Sequence, residues 1–405
     1  MQFTRPRIVL AVLLLAAAGA GGFAYYKYRS FTAYLTGQLG GQLGNKLGRE
    51  VRFTRVSFSP LKGIVIREAC VSRLPDFSKG NFFCAQKTVI RPRFSSLFKK
   101  TLYFSSITFD KPVIKLREKN GKWDFEDLLA LLPDTEKGLH LTWNTSELNL
   151  EDAKIEADME TSGLSLALDG MDIRLDHHSS YGGNYSLEAE GGVKTLHRGK
   201  LVSAGAELDA DLNFDYGGLA STNGRLKVRS LTYGAVSLEK FETDWKFFNM
   251  RKPLPERNYS ASVSAKALLV PAQAGGARDR VAEALGLFSK AMGKPAPRIE
   301  DIEMSSFGAA FTLDDSVLSL KDIRLRANFI NLDAALSIYG PAGKADASLT
   351  AEIGDNELSM SAAGPISNPK IKPLLSDTLS AKFRQALTGA EDALLKLFPV
   401  TGDTP

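Results

Sequence analysis

Histidine and cysteine, the side chains best suited to acid-base, nucleophilic and metal chemistry near neutral pH, are few in this 405-residue chain, and they are scattered. His140, His177, His178 and His197 are its only histidines, and Cys70 and Cys84 its only cysteines. No histidine stands at ligand spacing from either cysteine, so a zinc site is not expected. Carboxylate pairs such as Glu151 with Asp152 and Asp314 with Asp315 lie beside apolar strand residues and read as solvated turns. His177-His178 follows a strand end and reads the same way. Neither a Gly-x-Ser-x-Gly elbow nor a phosphate-binding loop stands out. Tyr103, Trp123, Trp143 and Trp245 read as core or strand anchors. The expectation is a non-enzyme with no catalytic residues, no metal and no cofactor.

The cysteines carry one piece of chemistry. They flank Pro75-Asp76-Phe77-Ser78-Lys79-Gly80 and are symmetric about Phe77, so a hairpin turning there sets them face to face. An oxidising compartment would let them bond; the alternative is two separately buried thiols. The 51 basic and 46 acidic residues are spread along the chain, and no basic block supports nucleic-acid binding.

The elements that position these residues begin with the first 28. Arg5 and Arg7 precede an uncharged apolar run from Ile8 to Tyr26, closed by Lys27 and Arg29. Such a run is about long enough to cross a bilayer core as one helix. A cleaved signal peptide, cut near Ala18-Gly19-Ala20, is the competing reading. Apolar character continuing through Phe23, Tyr25 and Tyr26 favours an uncleaved anchor with interfacial aromatics. Either reading exports the body. Residues 29–48 form a linking helix, with Phe31, Leu35, Leu39, Leu43 and Leu47 recurring every four residues.

Residues 49–133 are expected to form a β unit. Strands are read at Val51 to Phe58, Gly63 to Val71, Asn81 to Arg91, Thr101 to Phe109 and Val113 to Glu118. A turn at Asn120-Gly121 and a short helix from Trp123 to Leu132 follow. Residues 140–375 are expected to form an elongated β region: Ala153 to Met159, Leu164 to Leu168, Met171 to Leu175, Leu208 to Phe214, Ile323 to Phe329, Ala347 to Ile353 and Leu358 to Ala362 alternate apolar and polar with period two, which means strands with one wet face and one apolar face. Antiparallel sheets tolerate that pattern. A helical insertion near 278–292 carries Val281, Leu285, Phe288 and Met292 on one face, and an amphipathic helix occupies 376–405.

One-sided strands must hide the apolar side. Either it packs into a closed core, or a curved sheet keeps it open as a groove for lipid chains. Candidate lining positions are Leu164, Leu166, Leu168, Ile173, Leu175, Leu208, Leu212, Phe214, Leu325, Phe329, Leu349 and Ile353. Periodicity does not separate the two readings.

The order of parts resembles the AsmA family of bacterial envelope proteins. An anchor leads to Leu47-Gly48-Arg49-Glu50-Val51, then Gly63-Ile64-Val65-Ile66, Pro75-Asp76-Phe77 and Asp110-Lys111-Pro112-Val113-Ile114-Lys115-Leu116. Gly121-Lys122-Trp123-Asp124-Phe125 precedes Leu128-Leu129, and Gly364-Pro365-Ile366-Ser367-Asn368-Pro369-Lys370 resembles the segment that closes the family's β region. Asp124 departs from the family's Gly-x-Trp-Asn-Phe pattern. The resemblance implies an inner-membrane anchor, a periplasmic body built as an elongated, curved antiparallel sheet with an apolar groove, and a role in phospholipid transport or outer-membrane assembly. Phospholipid acyl chains and an envelope protein are the implied partners. The other reading of function is a structural or interaction factor for envelope assembly with a closed β core. About twenty strands at roughly 4.8 Å each would give an arc of about 95 Å.

Overall fold

The alternation of apolar and polar residues becomes strands wherever turn residues punctuate it. A computed structural model describes residues 47–59, 63–92, 104–129, 145–272 and 300–372, apart from short stretches at turns, with helical positions at 44, 45, 279, 282, 283 and 286. The protein is mainly β, with twenty strands in one hydrogen-bonded sheet and few helical residues among those described. The chain divides into two compact units, and the division falls within one strand, at Glu156 and Ala157.

The N-terminal unit contains β1 (Val51–Arg52), β2 (Arg55–Ser59), β3 (Gly63–Ser72), β4 (Asn81–Pro92), β5 (Phe104–Asp110), β6 (Val113–Lys119), β7 (Lys122–Trp123), α1 (Glu126–Leu129) and the start of β8 (Thr145–Met159). The run expected as one strand from Val51 to Phe58 is broken at Phe53-Thr54. There the Thr54 N–H donates to the Arg67 carbonyl at 3.0 Å, and pairing with β3 resumes at Arg55. The expected helix from Trp123 begins only at Glu126, because the Asn120-Gly121 turn folds Lys122 and Trp123 back onto β6. Both turn residues have positive φ, 53° and 76°, which suits a two-residue hairpin. The antiparallel expectation fails where β8 joins this unit: β5 and β8 run parallel, and β8 also pairs with β6, with β7 and α1 in the connection between β6 and β8.

Register in the β3–β4 hairpin is symmetric about Phe77. It sets Cys70 directly opposite Cys84, with Cα atoms 4.1 Å apart and a disulfide between them.

Arg49 ties the sequence motifs of this unit together. Gly48, at φ 64°, follows the helical residues 44, 45 and 47, and the Arg49 N–H donates back to the Gly44 carbonyl at 3.2 Å. The Arg49 guanidinium then donates to both carboxylate oxygens of Asp127, at 2.9 and 2.6 Å, and to the Asp124 carbonyl. It also lies 4.5 Å from the centroid of the Phe82 ring. Asp124 accepts from Arg73 at 2.7 Å through one oxygen and from the Arg117 N–H at 3.0 Å through the other. An Asn there would offer one acceptor oxygen for these two donors.

The second unit is a meander of β9 (Leu164–His177), β10 (Gly183–His197), β11 (Lys200–Asp215), β12 (Gly218–Tyr233), β13 (Val236–Phe248), β14 (Asn258–Val270), β15 (Ile302–Asp314), β16 (Val317–Ala327), β17 (Asn331–Tyr339), β18 (Lys344–Ile353), β19 (Asn356–Pro365) and β20 (Lys370–Lys372). Each pairs antiparallel with its successor. The anchor (1–28), most of the linking helix (29–48), the apolar face of the helical insertion (278–292) and the last segment (376–405) lie outside the described residues. Among the described residues no helix is long and apolar enough to cross a membrane.

Candidate lipid-binding face

Residues directly opposite in an antiparallel pair share a face, so register carries polarity from strand to strand. One row crosses all twelve strands of the second unit. It begins Leu175, Leu187, Ala210, Gly224, Trp245 and Ala261. It continues through Phe311, Leu320, Leu336, Ala347, Ala362 and Ile371. Every member is apolar. A parallel row runs from Gly191 through Ala206, Val228, Phe241, Ala265 and Phe307 to Leu325, Leu332, Ala351 and Leu358, again without a polar side chain. Between them lie Ile173, Ala189, Leu208, Leu226, Thr243, Val263 and Ala309.

The opposite face is hydrophilic. Its rows read Glu188, Asp209, Arg225, Asp244 and Ser262, then Glu190, Glu207, Lys227, Glu242 and Ser264. Ion pairs cross the strands there, Arg225 with Asp244 at 2.5 Å and Lys227 with Glu207 at 3.0 Å. The hydrogen bond from Lys227, with the Arg229 charge beside it, holds the Glu207 carboxyl below its ordinary value of 4.5. A depression of about 370 Å³ lies across β10 to β13, and most of its lining, including Glu188, Asp211, Asn223 and Lys246, belongs to this wet face. With those charges it does not suit an acyl chain.

Burial on the apolar face is uneven. Tyr259, Leu313, Leu318, Ile338 and Ala345 cluster near one end of the strands, and Val270, Ile302, Ala351 and Ile353 near the other. Between these clusters, and across β10 to β13, the apolar residues are mostly half-buried. At Gly224 the Trp245 ring occupies the space a side chain would need, and its indole N–H donates to the Thr222 hydroxyl at 3.2 Å. Tyr185 stacks on His177 and meets Phe214 edge-on, with centroids 4.7 and 5.8 Å apart.

Of the positions expected to line a groove, Ile173 and Leu208 stand in one row on either side of Ala189, and Leu349 lies farther along the sheet between Ala334 and Met360. Leu175 and Leu325 belong to the two fully apolar rows. Leu166 and Leu168 pair with Thr195 and Val193, and Leu164 precedes them in alternation. Leu212 lies between Tyr185 and Thr222, and Phe214 between Gly183 and Leu219. Ile353 and Phe329 pack in the cluster around Val270, and Phe329 sits in a turn, not on a strand.

Sequence reasoning named no lining residue between Phe214 and Leu325, although β12 to β15 supply Leu226, Phe241, Trp245, Val263, Phe307 and Phe311. The cause is a transverse row of irregular positions, Ser230, Glu239, Ala267 and Ser305, opposite one another in register and all exposed. Ser230 and Ala267 have φ of 52° and 53°. Across this row the apolar spacing jumps from two to three, as from Ala265 to Leu268 and from Val228 to Leu231, which erases period two. Apolar residues at i, i+2, i+5 and i+7 around an exposed small or polar residue were the available signal.

No family model, curated protein or solved structure matches the chain.

Proposed function

We propose that the chain holds lipid acyl chains against the apolar face of β9 to β20 and serves phospholipid transport or outer-membrane assembly from an inner-membrane anchor, with its body in the periplasm. The observation that carries this reading is the twelve-strand apolar row, backed by a charged face and only half-buried over much of its length. A closed core would bury such a row almost completely. Neighbouring strands twist by about 20–25°, so a meander of this length curves, and a curved sheet makes its apolar face a groove. Each methylene taken out of water there gains about 0.8 kcal/mol, or on the order of 12 kcal/mol for a chain of about fifteen before ordering costs. The anchor comes from the apolar run Ile8 to Tyr26, and the compartment and the AsmA-like role come from the sequence resemblance.

The test is native mass spectrometry with lipid extraction on the full-length chain in mild detergent. Phospholipid should accompany the wild type and be lost from the Leu208→Asp, Leu226→Asp double variant while its β circular dichroism persists. These two residues face each other at the centre of the half-buried region across β10 to β13. Equal lipid on both proteins, or none on a folded wild type, would give preference to the closed-core assembly factor.

A further inference from the structure

Among the described residues two arginines are buried, Arg49 at 3% and Arg257 at 6% exposure. They are held very differently. Asp127, the Asp124 and Ser72 carbonyls and the Phe82 ring surround the Arg49 guanidinium. Arg257 makes one hydrogen bond, from its Nε–H to the Lys252 carbonyl at 2.7 Å. A guanidinium carries five N–H donors, so the four on Nη1 and Nη2 have no partner among the described residues. Both terminal nitrogens touch solvent, since neither is a sealed polar atom lacking a hydrogen bond. Counter-charge is missing as well. Arg251 pairs with Asp215 at 2.5 Å and Lys252 with Glu256 at 3.5 Å. Tyr259 stands opposite Leu313, so the exposed Asp314 and Asp315 follow alongside, yet neither forms an ion pair with Arg257.

Taking a guanidinium out of water without an anion is costly, and its planar fork of donors matches two oxygens of a phosphate. Exposure alternates from Arg257 through Asn258 to Tyr259, buried, exposed, buried, so Arg257 continues the side on which Tyr259 packs with Leu313 and Phe247. That places it where the apolar face of β14 ends. We infer that the Nη1 and Nη2 side of Arg257 binds a phosphate group, brought either by a lipid headgroup or as the free anion. The inference does not rest on lipid binding by the apolar face.

The test compares the full-length chain in mild detergent with its Arg257→Gln variant, and its two arms separate the two sources. In the first, inorganic phosphate is titrated against acetate at matched ionic strength and thermal unfolding is followed. A free-anion site raises the unfolding temperature of the wild type with phosphate only, and the variant does not respond. In the second, native mass spectrometry compares phosphatidylcholine with diacylglycerol of the same chains, both without net charge. A headgroup site gives a wild type that retains phosphatidylcholine about tenfold over diacylglycerol, and a variant that retains both alike. A wild type that shows neither the phosphate shift nor the lipid preference overturns the inference, whether or not the variant folds. So does a shift that acetate matches, or any effect that Arg257→Gln keeps in full. If Arg257→Gln does not fold, Arg257→Lys takes its place, keeping the charge but not the fork. Uptake of neither lipid by a folded wild type counts against the acyl-chain reading of the apolar face, and the phosphate arm then decides this one.

Discussion

The Arg49 guanidinium is fully buried, and Asp127, its bidentate partner, is about one third exposed. Removing one partner of such a pair strands the other in a poorly solvated site, at a cost of about 3 kcal/mol. Arg49→Ala should therefore lower the stability of the N-terminal unit by about that amount, read in urea from the Trp123 emission. Arg49→Lys should recover little, because an ammonium cannot reach both Asp127 oxygens and the Asp124 carbonyl in one plane. A variant as stable as wild type would show that the ion pair merely offsets its own desolvation. The residues concerned were visible in the sequence as separate motifs, Leu47-Gly48-Arg49 and Trp123-Asp124-Phe125. Their meeting was not, because nothing local in a chain reports a partner 78 residues away.

At the scale of elements, strands were legible where alternation ran unbroken, as in Leu164 to Leu168 and Leu208 to Phe214, and illegible where four neighbouring strands share an irregular position. The register that puts Ile173 beside Leu208 through Ala189 is a long-range property and leaves no mark on either segment. Glycine within strands gives a sharper test of packing. A Cβ at Gly224 would stand 2.4 Å from the Asp209 carbonyl oxygen and 2.6 Å from the Trp245 ring, whereas one at Gly205 would meet nothing nearer than 3.8 Å. Gly224→Ala should destabilise the second unit by about 1–3 kcal/mol through overpacking. Gly205→Ala should be neutral or slightly stabilising, since it only removes freedom from the unfolded chain. Thermal unfolding of the two variants in parallel checks this, and equal effects would mean that β11 and β12 are spaced more loosely than the register implies.

At the scale of the second unit, eleven strand spacings of about 4.8 Å give the longer apolar row a reach of about 53 Å across the strands. On the proposed lipid-binding reading, a continuous face of that reach acts either as a path along which an acyl chain slides or as a store that holds lipid in place. The two differ in what a barrier at the midpoint does. Val263 and Ala309 face each other on β14 and β15, the sixth and seventh of the twelve strands, and both are half-buried. Aspartates at both positions put charge across the middle row, and a charge without a partner is costly against an acyl chain. If lipid slides, the Val263→Asp, Ala309→Asp variant should stop transfer between donor and acceptor vesicles while keeping a large part of its bound lipid, because the strands on either side still hold chains. If the face is a store, transfer and bound lipid should fall together. The ratio of transfer rate to bound lipid, compared with wild type, therefore separates the two, and an unchanged ratio would remove the sliding path while leaving lipid binding intact.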